Sequence, residues 1–195
     1  MIEEAVSAYR EVARARPEAF LPNLAMSLNN LSECLGDLER PEDALAVIKE
    51  AVTIGRELAR ARPDVFLAYL ALFLNNQAVR LEDLERPENA LAVIEEAVTI
   101  RRELARARPD VFLPDLAMSL GNQAVELADL GRLEDALAVI EEAVSAYREL
   151  ASVRPALFAG RYVNSLEIQA MILSDLGRYA EAAVVRNEAE TTSKK

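Results

Sequence analysis

The chain has 195 residues, 52% of them hydrophobic and 28% charged, which is enough apolar material to bury a sizeable core and enough charge to keep it in solution. Six Gly, eight Pro and no Trp, set against abundant Ala, Leu, Glu and Arg, favour helix and leave little for strands. A formal net charge of −11 repels phosphate backbones and anionic lipid, so it excludes nucleic acid and a membrane surface as expected partners.

In chain order, the first element is an amphipathic helix over Ile2–Arg16, IEEAVSAYREVARAR. Arg16-Pro17 ends it, because a residue before proline is pushed out of the helical region while proline itself suits a first helical position. A second helix follows, with Leu24, Leu28, Leu31, Leu35 and Leu38 spaced three and four apart on one face. A short break at Glu39-Arg40-Pro41 leads into a third helix, which carries Ala44, Ile48, Ala51 and Leu58 and ends at Arg62-Pro63. From there the pattern starts again.

Pro17, Pro63, Pro109 and Pro155 each follow Arg and fall 46 residues apart. Val47–Pro63 and Val93–Pro109 differ only at positions 49/95 and 55/101, which points to recent duplication or to design. The short break recurs as Glu85-Arg86-Pro87, Gly131-Arg132-Leu133 and Gly177-Arg178-Tyr179, where glycine suits the end of the preceding helix. The expected organisation is one continuous domain: an unpaired helix over 1–16, repeats over 17–62, 63–108 and 109–154, and a fourth over 155–195 with a polar C-terminal end. The first helix is almost a copy of Ile140–Arg154 but has no first-type partner. It reads either as a cap or as the start of a piece cut from a longer array, with Val6, Tyr9 and Val12 partly uncovered.

The pattern Leu28, Leu31-Ser32, Leu35, Ala44, Ile48, Ala51 resembles the tetratricopeptide consensus, and recurs as Leu74, Ala78, Leu81, Ala90, Ile94, Ala97 and as Leu120, Ala124, Leu127, Ala136, Ile140, Ala143. In the fourth repeat Leu166, Ala170, Leu173, Ala182 and Ala189 hold, but Arg186 replaces the apolar residue, as an outward-facing last helix requires. The usual period is about 34 residues. This one is longer and is similar to the extended repeats of kinesin light chains, also in its Asn29-Asn30-Leu31 run. The resemblance implies an all-α fold, a right-handed solenoid of antiparallel helix pairs with about nine helices. Gln77, Gln123 and Gln169 depart from it, since they stand where the family keeps an apolar residue. The small residues Ser32, Ala44 and Ala51 let the paired helices approach closely.

The resemblance also implies which positions point inward: Asn29, Asn30, Glu33 and Asp37, then Asn75, Asn76, Val79 and Asp83, then Asn122, Val125 and Asp129, then Met171. Asn30, Asn76 and Asn122 would form a ladder of amides that either holds the backbone of an extended peptide or bonds neighbouring helices. The aspartate row, Asp37, Asp83, Asp129 and Asp175, reads more simply as solvated residues near helix ends. No Lys or Arg is among the inward positions, so the basic clamp for a C-terminal carboxylate known in chaperone-binding members of the family is missing. A basic or neutral peptide is the expected partner.

No histidine exists, which removes the commonest general base and metal ligand. Cys34, alone beside Glu33, reads as an inert thiol and implies no disulfide, which suits a reducing cytoplasm. No phosphate-cradling glycine loop can be written, and pairs such as Glu95-Glu96 and Glu141-Glu142 read as a solvated face. Arg56, Arg60, Arg102, Arg106 and Arg148 are expected to pair with glutamates three or four residues away on their own helices. The reading is thus a non-enzyme with no cofactor, no metal and no membrane span, a protein-interaction scaffold binding a peptide in its groove. The alternative is a structural spacer or self-associating array, engineered or part of a larger bacterial signalling protein, joined as a homo-oligomer through its ends.

Overall fold

A computed structural model describes residues 2–193, and among them all regular structure is helical: α1 (Ile2–Ala15), α2 (Pro17–Asp37), α3 (Pro41–Ala61), α4 (Pro63–Glu82), α5 (Pro87–Ala107), α6 (Pro109–Asp129), α7 (Leu133–Val153), α8 (Pro155–Asp175) and α9 (Tyr179–Ser193). The even-numbered helices are the first-type helices of the repeat and the odd-numbered ones the second type. By internal contacts the chain divides into two compact units at Ile100/Arg101, within α5.

The joints follow from the sequence. Arg16, Arg62, Arg108 and Arg154 have φ between −135° and −145°, the extended backbone that a following proline imposes. Each ends one helix and begins the next: the Arg62 N–H donates to Leu58 O (2.9 Å) while its carbonyl accepts from Val65 and Phe66. No side chain caps these helices, and an acid just after the proline (Glu18, Asp64, Asp110) complements the helix dipole instead. Arg62 and Arg108 lie over the rings of Phe66 and Phe112, one turn on, at 4.9 and 5.1 Å from the ring centres.

In the first unit α1 packs on α2, α2 on α3 and α3 on α4, with α2 also meeting α4. Leu24, Leu28, Leu31 and Leu35 of α2 are buried against Ala44, Ile48 and Ala51 of α3. The Ser32 hydroxyl donates to Ala44 O at 2.9 Å, so the small residue that admits a close approach also hydrogen-bonds across the seam. Of the three residues expected to be partly uncovered in a cut array, Val6 is only 2% exposed, because α1 lays its stripe of Val6 and Ala13 on α2, while Tyr9 is half-buried and Val12 is exposed. In the second unit α6 packs on α7, α7 on α8 and α8 on α9. The seam is again Leu120, Leu127, Ala136, Ile140 and Ala143, all buried. Gln123, one of the departures from the family pattern, is buried and its Oε1 meets no hydrogen-bond partner. Arg186 on α9 lies exposed, with its guanidinium on Ser174 Oγ (2.7 Å).

Candidate functional site

The inward candidates of the first unit come from the middle of α2 and α4, where 46-residue periodicity sets equivalent positions side by side. Asn76 of α4 donates from Nδ2 to Asn29 Oδ1 (2.9 Å) and to Glu33 Oε1 (2.9 Å). Asn29 in turn donates to Glu33 Oε1 (3.1 Å) and to Asn30 Oδ1 (3.4 Å). Four of the candidates therefore form one amide and carboxylate cluster that ties α2 to α4. Asn29 and Asn75 are buried, Asn76 and Val79 half-buried, and Asn30, Glu33, Asp37 and Asp83 exposed. Asp83 is held by Arg80 (3.2 Å), whose guanidinium lies directly over Gly36 and would have to move aside for any Cβ there. In the second unit Asn122 and Val125 are half-buried on α6, Asp129 is exposed at its end, and Met171 is exposed on α8.

The second-type helices carry a feature that the sequence reading missed. Arg10, Arg56, Arg102 and Arg148 do not pair within their helices. They reach the next second-type helix, at Glu50, Glu96, Glu142 and Glu188, with Nη2–Oε distances of 2.5–3.1 Å. Glu96 and Glu142 are therefore ladder partners and not merely a solvated face. The signal was present as an Arg and a Glu 40 residues apart, repeated in each 46-residue frame, but helical neighbours compete for attention at three and four residues. At the last rung the Tyr162 hydroxyl joins, accepting from Arg148 Nε (2.7 Å) and donating to Glu188. Burial, and then the Glu188 carboxylate, push the Tyr162 phenol up from its ordinary value. Its bond with Tyr162 pushes Arg148 up as well.

A second set of positions varies from repeat to repeat. Gly55 on α3 faces Phe73 on α4, and a Cβ at 55 would stand 2.9 Å from the ring. One period on, Arg101 is buried and its guanidinium donates to Asp115 O (2.7 Å) and to Ser119 Oγ. Burial pushes Arg101 down from its ordinary value, yet guanidinium remains charged at any ordinary pH. The next equivalents are Tyr147 and Ser165, both buried. Burial raises the Tyr147 phenol, and a hydrogen bond with Arg161 opposes the rise. Beside Gly55 an apolar notch of about 170 Å³ is lined by Met26, Leu58, Phe66 and Tyr69 among others.

Cys34 is exposed, and among the described residues no helix is long and apolar enough to cross a membrane.

The tetratricopeptide-repeat family model matches residues 24–59 and 116–154, and that of anaphase-promoting complex subunit 5 matches residues 58–108. Comparison with curated proteins finds no match. Among solved structures the chain is similar to a Podosopora anserina protein assigned as a kinesin light chain with nearly identical TPR-like repeats (16% identity, TM-score 0.70, 98% of this chain and 86% of that one). It is similar too to the apo form of RapI (16%, TM-score 0.78, 99% and 64%) and to aspartyl phosphate phosphatase F from Bacillus subtilis (16%, TM-score 0.68, 87% and 40%). At such identity these likenesses concern the fold, a helical-repeat solenoid. Together with the repeated Leu, Ala and Ile seam, the two matched stretches support a tetratricopeptide-repeat protein whose repeat is drawn out to 46 residues.

Proposed function

We propose that the chain is a non-catalytic interaction scaffold that receives a basic or neutral peptide, extended or helical, along its first-type helices. Tetratricopeptide repeats are typically such scaffolds. The observation that carries the peptide reading is the cluster of Asn29, Asn30, Glu33 and Asn76, an amide row with a carboxylate at its centre and Asp37 and Asp83 on its C-terminal side. Amides can exchange a bond to each other for a bond to a peptide backbone, and the acids favour cationic side chains nearby. Val79 adds to the proposed contact surface on α4, and Asn122, Val125, Asp129 and Met171 are the corresponding candidates within the second unit. A single cysteine, Cys34, which can form no disulfide within the chain, suits a reducing, cytoplasmic setting.

Titration with pooled basic and acidic peptides, read by side-chain and backbone amide shifts, tests the reading. Shifts at Asn30, Asn76 and Asn122 with basic peptides only are expected; preference for an acidic, carboxylate-ended peptide would overturn it. The repeated Arg–Glu ladder favours a second reading, a stiff spacer in a larger assembly, which would show as silence from the whole pool.

A further inference from the structure

A groove of about 740 Å³ runs between α8 and α9. Its identity comes from the register. In the first unit α4 sits against α2 and α3 through three marked contacts: Asn76 on Glu33, Arg80 over Gly36, and Phe73 against Gly55. Three periods on, Glu33, Gly36 and Gly55 become Met171, Ser174 and Ser193, and all three line the α8–α9 groove. The groove therefore has the form of a seat for a first-type helix.

The seat is not built for a copy of α4. Ile48 and Val52, both buried on α3, become Arg186 and Glu190. A continuing apolar helix would have to bury both charges, at a cost of several kcal/mol. What remains is an apolar floor of Met171, Val163 and Ala189 edged by three acids, Glu167, Asp175 and Glu190. Arg186, the one cation among the described residues of this lining, is already folded onto Ser174. A second copy of the chain brings a net charge of −11 to this acidic rim, and electrostatics opposes it.

We propose that the α8–α9 groove is a docking site, separate from the amide row of α2 and α4, for an amphipathic helix of another protein that carries aliphatic residues on one stripe and Lys or Arg along its flanks. The stripe covers Met171 and Val163, whose apolar surface supplies the affinity, and the cations meet Glu167, Asp175 and Glu190, which supply the choice of partner. From Val163 to Asp175 the wall is about 18 Å long at the helical rise per residue, room for about three turns of a guest.

The test uses the whole chain and two synthetic 20-residue helices, one with a leucine stripe flanked by lysines and the other with glutamate at each lysine, followed by fluorescence anisotropy. The lysine helix is expected to bind and the glutamate helix not. Glu167→Lys with Glu190→Lys, both exposed sites that leave the fold intact, is expected to weaken the lysine helix about tenfold or more. The same two reversals on α5, Glu88→Lys and Glu95→Lys, should change it less than about twofold. Met171→Ser should weaken it without any change of charge. Equal binding of both helices, no binding, indifference to the α8–α9 reversals, or a mass that doubles with concentration would each overturn the proposal. Amide shifts confined to the α2–α4 cluster would overturn it while leaving the peptide reading of that cluster intact.

Discussion

The two units build the same turn from opposite residues. In the first, Glu39 and Glu85 stand at φ 56° and 54°, in the left-handed region, and prolines at 41 and 87 open the next helices. In the second, Gly131 and Gly177 take the same place at φ 72° and 74°, and Leu133 and Tyr179 follow. The hydrogen bonds that close the turn hardly change: Arg40 N to Leu35 O is 3.0 Å and Arg132 N to Leu127 O is 2.8 Å. Turn geometry is thus set by the packing of the helix pair, and the residue accommodates it. Where proline restricts the unfolded chain, a strained glutamate is tolerated; where proline is missing, an unstrained glycine stands. Position 55/101/147 teaches the same lesson inside the packing. Glycine faces Phe73, whereas arginine and tyrosine occur where the partner is Ser119 or Ser165. Bulk is shared across the pair and can sit on either side, while Ala51, Ala97 and Ala143 on the seam never vary.

The seam should be least forgiving. Ala97 is fully buried in α5 and no facing position is known to shrink for it. Ala97→Trp is expected to lose more than the ~1–3 kcal/mol typical of overpacking and to lower helicity at 25 °C, as read by circular dichroism. An unchanged melting curve would mean that the register drawn here is wrong.

A smaller effect should come from the variable pair, and it should be reversible. Gly55→Tyr drives a side chain into Phe73 and is expected to cost about 1–3 kcal/mol. Adding Phe73→Ser recreates the Tyr147 and Ser165 pairing within the first unit and should recover most of the loss. A double-mutant cycle by urea denaturation should give a coupling of about 1 kcal/mol or more. Additive costs would show that the pairs do not share space.

Smaller again is the turn. Freeing the left-handed glutamates of strain returns about 1–2 kcal/mol each, offset by about 0.4–1 kcal/mol for the extra freedom of glycine in the unfolded chain. Glu39→Gly or Glu85→Gly should therefore stabilise by about 0.5–1 kcal/mol, a rise in Tm of about 1–4 °C for a chain of this size. A fall in Tm would mean that the glutamates earn their place by contacts of their own.

These contrasts also mark what was legible beforehand. Proline and leucine spacing announced helix boundaries and seam, because both are local and repeat. The family pattern pointed to Asn29, Glu33 and Asn76 and left bonding between neighbouring helices as one of two readings, but the particular bonding of the three was not legible. It depends on how α2 and α4 are offset, which spacing along one helix does not contain. Arg186 was readable as a polar ending, whereas the groove it borders needed the shape of α8 against α9. Gly131 and Gly177 were readable as helix ends, whereas nothing in Glu39 or Glu85 signals a positive φ.

The faintest effect belongs to the Arg–Glu ladder, and it separates the two units once more. Every rung is more than a third exposed, so each is worth only about 0.2–1 kcal/mol and weakens with salt. Arg56→Ala removes a rung that stands alone on Glu96. Arg148→Ala removes one that also holds the Tyr162 hydroxyl, leaving a buried tyrosine on Glu188 without its cation. Melting the two variants in low salt and at ~1 M salt should show the Arg56 loss shrinking towards zero, since screening then reaches within about 3 Å. The Arg148 loss should persist, because a hydrogen bond to a ring packed among α7 and α9 is not removed by ions in the solvent. Equal salt sensitivity in both variants would reduce the Tyr162 contact to one more surface pair.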